Sequence, residues 1–133
     1  MSDLPRASGR VTPPARGSTT SAGRAGERLA GRFLRRKGYT IVETGFRMFR
    51  GEIDIIARDG PTLVFIEVKM RTSPLFGRPE ESVTPAKQRQ IRKVARGYLF
   101  QRRLGETPCR FDVISILKQG EAAPSIRHFK NAF

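Results

Sequence analysis

The chain is short of acid: 26 Lys and Arg stand against 12 Asp and Glu, leaving a formal charge of +14 over 133 residues. That imbalance points to a polyanionic partner. Nucleic acid comes first, because clustered cations release the counterions condensed on phosphate backbones, and an anionic membrane surface comes second. A single cysteine, Cys109, excludes an internal disulfide, and one cysteine with one histidine, His128, cannot build a structural zinc site. Cys109 is expected to be a packed small side chain rather than a nucleophile, and His128 a surface or packing residue. No run approaches the roughly 20 apolar residues that span a bilayer, and the N-terminus lacks the apolar core of a secretory signal. A cytoplasmic protein without a membrane partner is the expectation.

The length suits one compact domain. Residues 1–24 (MSDLPRASGRVTPPARGSTTSAGR) are rich in Gly, Pro, Ser, Thr and Arg, with little to bury, and are expected to form a disordered basic tail. Residues 25–133 then form the domain.

Within that domain, Leu29, Ala30, Phe33 and Leu34 recur at helical spacing from Gly26 onward, and Gly38 supplies the stop. Strands are expected over Tyr39 to Arg47, Gly51 to Arg58 and Leu63 to Met70, each rich in β-branched and aromatic residues. A loop over 71–82 precedes Thr84, a capping residue, with Pro85 at the first helical position. The second helix should run to about Leu104. Its stripe of Ile91, Val94, Ala95, Tyr98 and Leu99 faces inward, and Arg89, Arg92, Lys93, Arg96 and Arg103 fall opposite. Phe111 to Leu117 reads as a fourth strand and Ser125 to Phe129 as a short fifth.

The strand LVFIEVKM is apolar except for Glu67 and Lys69, two residues apart and so on one face. Charges in an apolar strand are costly and need a partner or a metal. Asp54 has a similar setting, between Ile53 and Ile55. If residues 59–62 form a tight connection, Arg58 pairs with Leu63, and stepping outward sets Asp54 opposite Glu67 and Glu52 opposite Lys69. Carboxylates held so close repel unless something positive lies between them, which implies Mg²⁺ or Mn²⁺ with oxygen ligands from Asp54 and Glu67. Such an ion polarises a scissile phosphate, while Lys69 orients water or stabilises the added charge. A cross-strand ion-pair network on a solvated sheet face explains an E-x-K pair by itself equally well. The apolar flanks, the Asp54 register and the basic helix favour the reactive site.

Glu27, in the first turn of the first helix, is read both as a further acid of this site and as a helix-capping residue, acids being favoured there in any case. Lys87 lies near the inward stripe and either reaches the site or snorkels at the edge of the core. Arg89, Arg92, Lys93 and Arg96, with no acid in their helix, are expected with Lys87 to contact phosphates.

The segments GERLAGRFLRRKGY, RGEIDIIARDG, LVFIEVKMR, a Lys- and Arg-bearing helix and the ending HFKNAF together resemble the YraN-like bacterial proteins. That family is similar to the restriction-endonuclease-like, PD-(D/E)XK superfamily, and in core layout to archaeal Holliday junction resolvases. The resemblance covers about residues 24–133. It implies an α/β domain with an α-β-β-β-α-β core and a mixed central sheet flanked by helices, nucleic acid (DNA foremost) as partner, and a homodimer by analogy with resolvases. Carried over by position, the superfamily's helix glutamate falls on Glu27, its strand aspartate on Asp54 and its E-x-K pair on Glu67 and Lys69. The activity it implies is metal-dependent cleavage of branched or structured DNA; the alternative is a non-enzymatic DNA- or RNA-binding protein that keeps the nuclease fold.

Overall fold

The computed structural model describes residues 21–73 and 83–133. The elements are α1 (Ser21–Arg36), β1 (Thr40–Met48), β2 (Gly51–Asp59), β3 (Thr62–Arg71), α2 (Pro85–Gln101), β4 (Cys109–Leu117) and β5 (Ser125–Phe129). The expected basic tail lies outside the described residues up to position 20, as does most of the expected loop at 71–82. Helix α1 starts at Ser21, ahead of the Gly26 expected, because Ser21 to Ala25 are small or polar and carry no apolar stripe to announce a helix. It ends in a Schellman motif, with the Tyr39 N–H donating to the Leu34 carbonyl and the Gly38 N–H to the Arg35 carbonyl. Gly38 takes a φ of +92°, which a side chain would resist. Helix α2 starts as read: the Thr84 side chain accepts the Lys87 N–H and Pro85 opens the first turn. It stops at Gln101, short of Leu104.

The strands form one five-stranded sheet in the order β1-β2-β3-β4-β5. Pairing is antiparallel except between β3 and β4, where α2 makes the crossover that a parallel pair requires. The sheet is therefore mixed, and the α-β-β-β-α-β order of the core is the observed one, with β5 added at the edge. Each face buries an apolar layer. Ile91, Val94, Ala95 and Tyr98 of α2 pack on Phe46, Ile53, Phe65 and Val113. On the other face, Ala30 and Leu34 of α1 pack on Ile55, Val64, Ile66 and Ile114. No helix among the described residues is long and apolar enough to cross a membrane.

At the hairpin end of the sheet a charged network is buried. Asp112, fully buried, accepts from His128 Nε2 at 2.7 Å, from Arg110 Nε at 3.0 Å and from the Asn131 N–H at 2.9 Å. Arg110 goes on to Asp59 at 3.0 Å and the Tyr39 hydroxyl at 2.7 Å, joining β2, β4, β5 and the α1–β1 connection. Of the two readings of His128 the packing one holds, its side chain 3% exposed and partnered by Asp112. Cys109, expected to be packed, is instead exposed at the start of β4.

Burial pulls the Asp112 carboxyl upward, but hydrogen bonds from His128 and Arg110 outweigh it and hold the group below the usual carboxylate range. A depressed folded value adds stability that is present above the unfolded carboxylate value and lost as pH falls towards the folded one. The stability of the wild type should therefore decline below about pH 4, and Asp112→Asn should flatten that decline in urea titrations. Asp112→Ala should cost about 3 kcal/mol, the lower end for a broken buried pair, because Asp59 still holds Arg110.

Candidate metal-binding and catalytic cavity

At the opposite end of the sheet β2 and β3 part. Their ladder has the register expected from the sequence, Arg58 with Leu63, but pairing ends at Ile55 and Ile66. Asp54 and Glu67, one step further, are not a ladder pair. Instead the Asp54 carboxylate accepts the Val68 N–H at 2.8 Å. The bend is visible in the packing: Ile53 belongs to the α2-side layer, whereas Ile55 and Ala57 belong to the α1-side layer, so strict alternation breaks at Asp54.

The parted strands and the N-terminal half of α1 enclose a cavity of about 440 Å³ lined by Glu27, Glu52, Asp54, Glu67, Lys87 and Lys118, among others. Gly23 and Gly26 also line it. At Gly26 a Cβ would meet Met70 Sδ at 3.5 Å and Val68 at 3.6 Å, so α1 lies close over the end of β3.

One carboxylate oxygen from each of Glu27, Glu52 and Asp54 lies within 4.8 Å of the others. Glu67 lines the same cavity, its carboxylate 3.4 Å from Lys69 Nζ and 3.8 Å from Lys87 Nζ. With its side chain 7% exposed against 32% and 45% for the lysines, Glu67 is the buried member of that trio.

The site residues expected from the sequence are thus gathered only in part. Asp54, Glu67, Lys69, Glu27 and Lys87 share this end of the sheet. The rest of the basic set does not: Arg89, Lys93 and Arg96 are exposed along α2, and the Arg92 guanidinium lies 4.7 Å from the Phe111 ring centre. Glu27 is not a first-turn residue, because α1 begins at Ser21 and has no acid in its first turn, so the capping reading is withdrawn. Glu52, expected only as the cross-strand partner of Lys69, stands instead in the acid cluster, for which its spacing of two from Asp54 was the available signal. Lys118, for which the sequence offered no signal, donates its ammonium to the Gly120 and Ala122 carbonyls at 2.6 Å each.

The electrostatics of the acids are one-sided. Burial pushes Glu27 up to about 7, helped by Glu52 and opposed by Arg24. Burial and the Glu67 charge push Asp54 up to about 8 against the opposing Val68 hydrogen bond. Ionising both near neutrality is costly, and a cation among them offsets the cost. The donors fit a hard divalent ion: all are carboxylate oxygens, the ligand type that Mg²⁺ and Mn²⁺ take.

A profile described as "Uncharacterised protein family UPF0102" matches residues 26–116. The chain is 49% identical over 118 residues to a UPF0102 protein of Geotalea uraniireducens, covering 89% of this chain and 93% of that one. It is 52% identical over 118 residues to a UPF0102 protein of Chlorobium limicola, covering 85% and 92%. Among solved structures it is similar to Hjc of Archaeoglobus fulgidus, a Holliday junction resolvase, at 24% identity and a TM-score of 0.41, covering 81% of this chain and 86% of that one.

Removing one acid tests the cavity without any substrate. Asp54→Asn keeps an acceptor for the Val68 N–H while discharging the cluster, so in EDTA it should melt above the wild type. Millimolar Mn²⁺ should raise the wild-type melting temperature, by the equivalent of about 2.7 kcal/mol when the ion is at a hundred times its dissociation constant. Asp54→Asn should lose most of that gain. An equal gain in both proteins would place the ion elsewhere.

Proposed function

The chain belongs to the uncharacterised protein family UPF0102, and on that footing we propose that it is a divalent-cation-dependent nuclease hydrolysing phosphodiester bonds in branched or otherwise structured DNA. The observation that carries this reading is the arrangement of the cavity. Three carboxylates, Glu27, Glu52 and Asp54, converge in it, and two ammonium groups, Lys69 and Lys87, stand beside Glu67.

Asp54 is the pivot. Its backbone-held carboxylate presents an oxygen towards Glu27 and Glu52, and these three would hold Mg²⁺ or Mn²⁺, with Glu67 bordering the same space. The ion, when bound, supplies Lewis-acid polarisation of the phosphate and neutralises part of its charge. Lys69 and Lys87 serve the charge that builds on the phosphate oxygens in the transition state, and they do so with little reorganisation because Glu67 already positions them. Glu67 also orders water near Lys69, and a proton leaving that water has nearby carboxylates to accept it. The positive surplus of the whole chain draws the polyanion in and offsets the local negative field of the acids. A cytoplasmic setting accords with such a substrate, and paired cuts in a symmetric junction would require two sites, hence a homodimer.

One observation favours a second reading. Glu67 is satisfied by two lysines, as it would be in a structural ion-pair network of a non-enzymatic DNA- or RNA-binding protein. Metal dependence separates the two.

A labelled four-way junction and its matching duplex, incubated in Mn²⁺ and in EDTA, provide the test. The wild type should cut the junction only with the ion. Asp54→Ala should abolish cutting, and Lys69→Met should lower the rate by about a hundredfold or more, as loss of a transition-state charge partner does. Tight, ion-independent binding with no cutting of any branched substrate would establish the binding-protein reading instead.

A further inference from the structure

Away from the cavity, the outward face of α2 carries side chains that the catalytic reading leaves unused. At about 100° per residue, Arg89, Lys93, Arg96 and Phe100 fall in one file opposite the buried Ile91, Val94, Ala95 and Tyr98. All four are exposed. Phe100 is 88% exposed, more than any other large hydrophobic among the described residues.

A second ring lies beside this file. Phe49, 51% exposed, stands at the tip of the β1–β2 turn, where it and Arg50 both take left-handed φ values of 54° and 62°. Two such residues fit the tight hairpin turn that suits a twisted ribbon, but Asn or Gly would enter it at lower cost than Phe. The tip is pinned to α2. Gln90 Nε2 donates to the Phe49 carbonyl at 2.9 Å, and a Cβ at Gly97 would come within 2.7 Å of Phe49 Cε2. Lys93 Nζ stands 5.2 Å from the Phe49 ring centre. The turn thus holds an aromatic ring at the flank of a cationic file, outside the core.

We infer that Phe49 and Phe100 are stacking platforms for unpaired bases of a DNA strand whose phosphates follow Arg89, Lys93 and Arg96. Interleaved rings and cations on one face are what single-strand binding requires, since every base offers a π-face and every nucleotide a phosphate. In a duplex the bases are paired and stacked on one another, so the rings serve only an unpaired stretch. A second copy of the chain is a poor occupant, because α2 contains no Asp or Glu and the same face on a partner would set cations against cations. A membrane surface is a poorer one, because the apolar stripe of α2 is already buried in the sheet and two isolated rings do not replace it. That the strand is DNA rests on the proposed function; that its bases are unpaired rests on the rings.

The chain has no tryptophan, so Phe100→Trp installs a lone reporter at a position exposed enough to leave the fold intact. In EDTA, with anisotropy of a labelled oligo(dT) following saturation, indole fluorescence should be quenched in step with single-strand binding and not by a duplex of equal length. Phe100→Leu and Phe49→Leu should each weaken oligo(dT) binding about fivefold or more and leave duplex affinity unchanged. Unaltered indole emission at saturation would overturn the inference, as would equal losses on both substrates. So would a fall from dimer to monomer in the leucine variants by light scattering, or indole burial in anionic phosphatidylglycerol vesicles without quenching by oligo(dT). Because quenching is read in EDTA and cleavage in Mn²⁺, quenching together with a junction left uncut in Mn²⁺ would sink the nuclease and leave this surface standing, and cutting in Mn²⁺ without quenching would do the reverse.

Discussion

One hydrogen bond, from the Val68 N–H to the Asp54 carboxylate, sets the shape of the cavity end of this fold. Had the β2–β3 ladder continued past Ile55 and Ile66, Asp54 and Glu67 would have been directly opposed, with Cβ atoms about 5 Å apart, and like charges so placed are destabilising. The carboxylate instead takes a donor from the neighbouring strand and the strands separate. Separation turns this end of the sheet into a cavity. It also lets Glu52, two residues earlier on the same strand, converge with Asp54 and with Glu27 of α1. Gly23 and Gly26 of α1 line the space without filling it.

The two ends of the sheet treat buried acid in opposite ways. Asp112 receives donors from Arg110, His128 and Asn131 and is held ionised. Asp54 receives one backbone donor and faces Glu67, Glu27 and Glu52, and its proton is held tightly. Nothing in the desolvation of the two groups alone separates them, since burial raises both; the difference lies in the partners. A carboxylate satisfied from within serves architecture. A cluster left electrostatically unbalanced at a solvent-reached cavity is the arrangement that ligand chemistry exploits.

Much of this was legible in the sequence because local rules and the global fold agree. Gly38 ends α1, Thr84 and Pro85 start α2, and the tight Gly60-Pro61 connection gives the correct Arg58–Leu63 register. Glu67 and Lys69 are conspicuous in an otherwise apolar strand, and they lie together at the site. Other features depend on distances that periodicity does not encode. The Asp112–His128 bond joins strands through a pairing that a short, ambiguous fifth strand only hints at. The early start of α1, through residues with no apolar stripe, moved Glu27 out of the first turn and into the cavity wall. Glu52 was matched across the hairpin to Lys69 by a register that is correct further along but stops before reaching it. The strand bend at Asp54 is the event that no regular pattern predicts, and it is the event that makes the site.

On the proposed reading, the charge distribution also imposes an order on binding. The excess of 26 cations over 12 acids attracts a phosphate backbone from a distance, whereas Glu27, Glu52, Asp54 and Glu67 repel it at close range. Screening over about 10 Å at ordinary salt weakens the distant attraction more than the short-range repulsion. A backbone can then lie on the basic surfaces without entering the cavity, and it enters only when the local negative charge is offset. A divalent ion provides that offset where the three carboxylates converge and Lys69 and Lys87 provide it beside Glu67. Affinity and chemistry are thereby assigned to different groups: the outer cations govern how tightly the polyanion is held, and the acids govern whether it can react.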